Sequence, residues 1–351
     1  MTILTYPQHI LKHWASHIRM FVIPATAMPV AVSCYSDISL DDYRDDEGSQ
    51  LLVVNAMVNP DSTICAMATR PYFFSDLHKG RTYVPDLDMH LYVGGRDMGT
   101  MTYDAAQHRY TSDIKPQPGD EVRIETHFNG REVSCTDTVP RPVRMERIEA
   151  ECQGPLTIYW SNDYIYTYRI TFNDPAGEDN YYFLSWKDKW VSYDETPSLG
   201  IGERKYSDEF VFQQLALSIH DVMPGWEPYL PAGLPFSDKG IDGTEHTLLL
   251  REIIQSSGGN RLEYCPEMWR EFNLYTISKA YYDYLVGVIC SRTDLDDNLL
   301  GNGLVDIGAA EPVAIPSNVI GGTGILGCYT RHKIMTDVEY AYDRLKGNEG
   351  K

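Results

Sequence analysis

The chain reads as mainly β: an N-terminal sandwich of immunoglobulin-like or transthyretin-like architecture, followed by a second β-rich domain with one prominent helix. Three observations predict this. Apolar and polar residues alternate over short runs, the period of a half-buried strand. Asn-Gly, Gly-Gly and Pro-Gly pairs separate those runs, as tight turns require. Aromatic residues make up 12% of the chain, with 25 tyrosines, a bias that suits pleated sheets.

Residues 51–58 form an apolar run expected to be a buried strand, and Ile64, Ala66 and Ala68 mark a second. Leu87, Met89, Leu91 and Val93 alternate with polar neighbours and stop at Gly94-Gly95, a hairpin signal. The clearest unit is 121–135. There Val122, Ile124, Thr126 and Phe128 share one face, and Asn129-Gly130 turns the chain back. The run Val139-Pro140-Arg141-Pro142-Val143 breaks helix and sheet alike and sets the domain boundary. Beyond it Tyr164, Tyr166, Tyr168, Ile170 and Phe172 share a strand face, and 180–186, 210–219 and 247–254 are further apolar runs. Residues 271–277 lead into a helix capped by Ser278, with Tyr281, Tyr284, Leu285, Val288 and Ile289 on its apolar face.

The N-terminus carries Lys12 and Arg19 and no acid, then an uncharged stretch from Met20 to Ser33, then Cys34. That stretch is shorter than the roughly 20 residues a spanning helix needs. A positive region, a short apolar region and small residues before a cut describe a secretory signal over 1–33. Ala31-Val32-Ser33 before Cys34 is similar to the lipobox of bacterial lipoproteins, whose cysteine is acylated. Residues 34–49 are then a lipidated, acidic tether. The remaining divisions are a sandwich at 50–138, a Pro-rich linker at 139–145, a second domain at 146–335 and a polar tail at 336–351. Net charge is −20, and cutting before Cys34 removes two positive charges to leave −22. A surface so acidic argues against nucleic acid as a partner and against attachment to anionic lipid through a basic patch.

With these pieces in order the chain resembles the Bacteroidota lipoprotein family known as domain of unknown function 4249. The resemblance runs through His108-Arg109-Tyr110 to Pro118-Gly119-Asp120, then Phe172-Asn173-Asp174-Pro175-Ala176-Gly177 with Asn180-Tyr181-Tyr182. It continues in Phe236-Ser237-Asp238 with Asp242-Gly243, and in 274–284. Its most specific piece is 311–327, from Glu311-Pro312 to Gly324-Ile325-Leu326-Gly327. The resemblance implies an outer-membrane location, a neighbouring TonB-dependent transporter and no established activity. It transfers a fold and an address, not a catalytic residue.

No motif supplies chemistry by itself. Gly322-Thr323-Gly324-Ile325-Leu326-Gly327 satisfies G-x-G-x-x-G, but a dinucleotide site needs a following helix and a later acid within a βαβ unit. The glycines are expected instead to permit tight turns and close strand approach. The segment 238–245 departs from a calcium loop at its third position, Gly240, and at its twelfth, Leu249. An ordinary turn is expected there, and a solvated loop at 293–298. The histidines are dispersed without metal spacing, His127 falls on the polar side of its strand, and no Gly-x-Ser-x-Gly elbow occurs. Neither cofactor nor metal is expected. Besides Cys34 there are six cysteines; Cys65 and Cys135 lie on strands of one domain and are the disulfide to test first, with free buried thiols the alternative.

Three functions remain open. The first is a non-enzymatic binding lipoprotein at the cell surface, an accessory to a TonB-dependent transporter, its ligand unknown. The second is a structural or adhesive module for protein or glycan. The third is an uncharacterised hydrolase, which a concave pocket with clustered, pKa-perturbed acids would favour.

Overall fold

The computed structural model describes residues 51–71, 81–158, 161–191, 197–201, 205–207, 209–212, 229–230, 233–254, 267–291 and 314–337. The segments at 1–33 and 34–49, with Cys34, lie outside the described residues, as do 213–219 and 293–298.

Hairpin chemistry builds the first half. Strands β1 (Val53–Val58), β2 (Cys65–Arg70), β3 (Thr82–Tyr83), β4 (His90–Val93) and β5 (Arg96–Thr100) come first, then β6 (Thr102–Asp104) and β7 (Arg109–Thr111). β8 (Glu121–Phe128) and β9 (Arg131–Thr138) complete the set. The β8–β9 turn is Asn129-Gly130 at φ 50° and 74°, and the β4–β5 turn is Gly94-Gly95 at 57° and 73°. Two consecutive positive φ angles match the twist of the flanking strands. Val122, Ile124, Thr126 and Phe128 all point inward, and His127 is exposed.

The second half uses longer strands. These are β10 (Met145–Ile158), β11 (Ser161–Asn173), β12 (Tyr181–Val191), β13 (Pro197–Ile201), β14 (Lys205–Tyr206) and β15 (Tyr229–Leu230). β16 (Gly233–Ser237), β17 (Glu245–Ile254) and β18 (Glu267–Ile277) precede helix α1 (Lys279–Ser291), and β19 (Val319–Ile320) and β20 (Thr323–Asp337) follow it. Ser278 caps α1, its Oγ accepting from Tyr281 N at 3.2 Å. The helix packs Val286 and Ile289 on the second core. Tyr281 lies over Tyr329 of β20, while Tyr282 faces Tyr181 of β12. Tyr281 and Ile289 of the expected apolar face make these contacts, joined by Tyr282 and Val286.

Two five-stranded sheets, in the orders β19-β9-β8-β4-β5 and β10-β11-β17-β14-β15, pack against one ten-stranded sheet. Its path is β13-β12-β18-β20-β1-β2-β7-β6, with β16 paired to β12 and β3 to β2. Apolar side chains form two separate cores. Val139 belongs to the first and Val143 to the second, so the Pro-rich run marks the change of core. The cores do not divide by sequence order: β19 and β20, assigned by sequence to 146–335, also complete the first core. Residues 323–328 of β20 pair in parallel with β1, and 329–337 pair antiparallel with β18. A parallel partner must come from far along the chain, so local pattern could not show it. β20 also runs to Asp337, two residues into the expected tail.

The glycines at the start of β20 explain the G-x-G-x-x-G. A Cβ built on Gly322 would lie 2.5 Å from the Leu52 carbonyl, and one on Gly327 would lie 3.0 Å from the Tyr281 ring. The motif serves close strand approach, as expected from sequence, and at Gly327 close approach of the helix as well.

Candidate functional site

Two loops, 174–180 between β11 and β12 and 238–244 between β16 and β17, meet at one end of the second core. Each begins where a strand ends at a short polar run containing Gly, which the chain needs for positive φ at Gly177, Gly240 and Gly243. The loops are stitched by acids. Asp174 Oδ2 accepts from Gly243 N at 2.9 Å and its Oδ1 from the Tyr182 hydroxyl at 2.5 Å. Asp238 Oδ2 accepts from Asn180 N at 2.6 Å, and Asp242 Oδ1 from Gly177 N at 2.9 Å. Backbone bonds from Asp174 N to Thr244 O and from Asp238 N to Asn180 O add to the seam.

The three carboxylates come close: ligand oxygens of Asp174, Asp238 and Asp242 lie within 4.8 Å of one another. Asp174 and Asp238 are buried and Asp242 is exposed. Burial raises the Asp238 pKa above the usual carboxylate range, opposed by the Asn180 hydrogen bond and reinforced by Asp174, Asp179 and Asp242. These are the residues that could hold a cation. Three of the six oxygens in such a set already accept backbone N–H bonds and a fourth takes a tyrosine hydroxyl, so loop closure accounts for the cluster. Asp174→Ala, which leaves Gly243 N and the buried Tyr182 hydroxyl without that partner, is expected to lower stability by about 1–3 kcal/mol. Urea denaturation followed by tryptophan fluorescence measures it, and an unchanged midpoint would show that the seam is dispensable.

Beside the seam opens a cleft of about 790 Å³. Glu178, Asp179, Asp238, Asp242 and Asp283 line it with Lys239 and Lys279, and Tyr181 and Tyr282 form part of its wall. The two tyrosine rings are 4.9 Å apart. Lys279 Nζ is 2.5 Å from Asp283 Oδ2, so those two charges satisfy each other and the remaining wall is net negative.

A second polar group is sealed inside the second core. Arg270 of β18 donates through Nη2 to Glu252 Oε1 at 2.6 Å and through Nε to Glu252 Oε2 at 3.1 Å. Its Nε also lies 3.0 Å from Asp188 Oδ1, and the Tyr168 hydroxyl donates to Glu252 Oε2 at 2.9 Å. Burial alone would lower the Arg270 pKa, but the Glu252 carboxylate, with Tyr168 and Asp188 adding to it, raises it above the ordinary value. The group joins β17 of one sheet to β12 and β18 of the other and is closed to ligands.

Sequence reasoning singled out 238–245 as an ordinary turn, and the chain does turn there between β16 and β17. It missed Asp174, which lies 64 positions before Asp238, because no spacing rule links two separate hairpin loops. It also missed the Arg270 group, for which a signal existed: Glu252 falls on the strand face that carries Leu248 and Leu250, and a charge on a core face needs a partner. The pair Cys65 and Cys135 is not joined; both are free thiols, on strands of different sheets.

The class defined by this arrangement is a two-core β-sandwich protein, sealed by a shared C-terminal strand, with an acid-walled cleft at the end of its second core. The chain belongs to the family described as Domain of unknown function (DUF4249), which matches residues 38–334. No curated protein matches it at a significant level. Among solved structures, one described as "Putative membrane anchored protein from Corynebacterium diphtheriae" is similar at 8% identity and a TM-score of 0.20. The match covers 65% of this chain and 54% of that one, so this chain spans about half of that protein's length. A likeness this low carries no argument. Among the described residues no helix is long and apolar enough to cross a membrane.

Proposed function

We propose that this chain is an exported lipoprotein, anchored to the outer membrane through Cys34, that binds a ligand without transforming it and serves a TonB-dependent transporter. The observation that carries the binding reading is the cleft: it is open, and two hydrogen-bonded loops and a capped helix build its wall. Support for the anchor comes from the small residues before Cys34 and from a family match that starts at residue 38, four positions after it. In a tagged full-length chain, co-purification with a transporter from detergent-solubilised membranes is the expected result. Cys34→Ala is expected to move the protein to the soluble fraction. Persistence of that variant in the membrane fraction would overturn the anchor, and capture of no transporter would leave the adhesive module as the better account.

One observation favours a hydrolase as the second reading. Asp238, its pKa raised by burial and three neighbouring carboxylates, stands at the cleft, where a general acid would be useful. Against it, the hydrogen bonds of Asp238 and Asp242 are those of loop closure. Turnover of ester, peptide or glycoside substrates that disappears in Asp238→Asn would favour the second reading over the first.

A further inference from the structure

We infer that Asp137, on a strand of the first core, completes the N-cap of α1 and thereby positions the helical wall of the cleft. The Ser278 hydroxyl that caps α1 has one proton to give and lone pairs to receive. It donates that proton to Asp137 Oδ2 at 2.5 Å, across a separation of 141 positions in the chain. With the proton committed there, the same oxygen accepts from Tyr281 N at 3.2 Å and from Cys328 N at 3.4 Å. Asp137 Oδ2 also accepts from Cys328 N directly at 2.8 Å, and its Oδ1 from Thr138 N at 2.9 Å. One carboxylate thus joins β9, β20 and the first turn of α1.

The helix lacks such a group of its own. The first N–H groups of a helix have no partner inside it, and negative charge beside them is stabilising. The first turn of α1 contains no acid and begins with Lys279, a charge of the wrong sign for that end. Asp137 supplies the missing anion. Burial raises its pKa, and the bonds from Ser278, Cys328 and Thr138 oppose that rise by favouring the charged form.

Both ends of the link are held. Asp137 lies opposite Val122 in the β8–β9 ladder, and Val122 is fully buried in the first core. Ser278 N donates to Cys328 O at 2.9 Å, and Tyr282 N to Ser278 O at 2.9 Å, so the start of α1 is docked on β20. From that start the helix carries Lys279, Tyr282 and Asp283 into the lining of the cleft. A side chain of the first core therefore fixes where the wall of a cleft beside the second core begins. That dependence holds whether the occupant of the cleft is bound or transformed.

Native hydrogen exchange of the full chain tests this in wild type, Asp137→Ala, Ser278→Ala and the double variant. Asp137→Ala should speed exchange in a peptide spanning 279–284 by about five-fold or more, the scale of a lost cap, and leave residues 121–128 of β8 as in wild type. In a chain that already carries Ser278→Ala, the same change should add little to the exchange of α1, because the aspartate acts through that hydroxyl. Cross-relaxation between the Tyr181 and Tyr282 rings, whose centroids are 4.9 Å apart, should weaken in Asp137→Ala. Asp137→Asn keeps the volume and one acceptor oxygen; it should give a smaller rise at the same place, and it serves if alanine prevents folding. Unchanged exchange at 279–284, an equal rise across 121–128, a full effect of Asp137→Ala without the Ser278 hydroxyl, or an undisturbed ring pair would overturn the assignment.

Discussion

Arg270→Met is expected to destabilise the chain by about 3–5 kcal/mol, the scale for removing one partner of a buried ion pair. The guanidinium is 1% exposed and pairs with two buried carboxylates, Glu252, fully buried, and Asp188, 2% exposed. Met keeps much of the volume and removes the charge, so the loss reports electrostatics rather than a cavity. The damage should be repairable. Replacing Arg270, Glu252 and Asp188 together by apolar residues of similar size is expected to be less destabilising than Arg270→Met alone, because desolvation is then avoided on both sides. Urea denaturation of the three proteins, read by circular dichroism, decides the matter. A single variant within about 1 kcal/mol of wild type, a difference ordinary surface changes produce, would mean that the group is not a closed ionic centre.

Gly324→Val should lose about 3 kcal/mol or more, for a different reason. Gly324 has φ +113°, and a Cβ there would stand 2.1 Å from the Val54 carbonyl. A side chain would be strained by its backbone angle and would also push β20 away from β1. That pairing, Val54 opposite Gly324, belongs to the parallel ladder that completes the first core. Gly95→Ala provides the comparison. Gly95 also has positive φ, at +73°, but a Cβ there would meet nothing within 4 Å, so only the backbone term of about 1–2 kcal/mol applies. Equal losses in the two variants would show that close approach to β1 is unimportant.

The contrast between those glycines shows what a sequence can reveal. Gly94-Gly95 and Asn129-Gly130 were legible because a hairpin turn depends on residues adjacent in the chain. The alternation of Val122, Ile124 and Phe128 was legible for the same reason, as was the row from Tyr164 to Phe172. Ser278 could be read as a cap from its place before an apolar helical stripe. Gly324 was recognised as a site of close approach, but its partner Val54 was not, being 270 positions away.

For the cleft even less was visible. Asp238 and Asp242 appeared as an indifferent turn, and nothing nearby pointed to Asp174 or to Tyr282 across the wall. Loop residues of different hairpins meet only after two sheets have packed, and packing depends on the shapes of whole faces. Likewise Cys65 and Cys135 shared a region of sequence, yet they lie on strands of different sheets.

The sequence by itself determined that this is a β-rich chain and where hairpin turns such as Asn129-Gly130 fall, and its landmark segments carried the resemblance to DUF4249. The first two follow from periods of two residues and positive-φ turns, local in origin. Tertiary structure alone decided that β20 serves both cores, that Arg270 is enclosed with Glu252 and Asp188, and that three aspartates close the loops beside the cleft. Each of those depends on contacts between distant segments, whose free energy appears only once the faces that carry them are buried together.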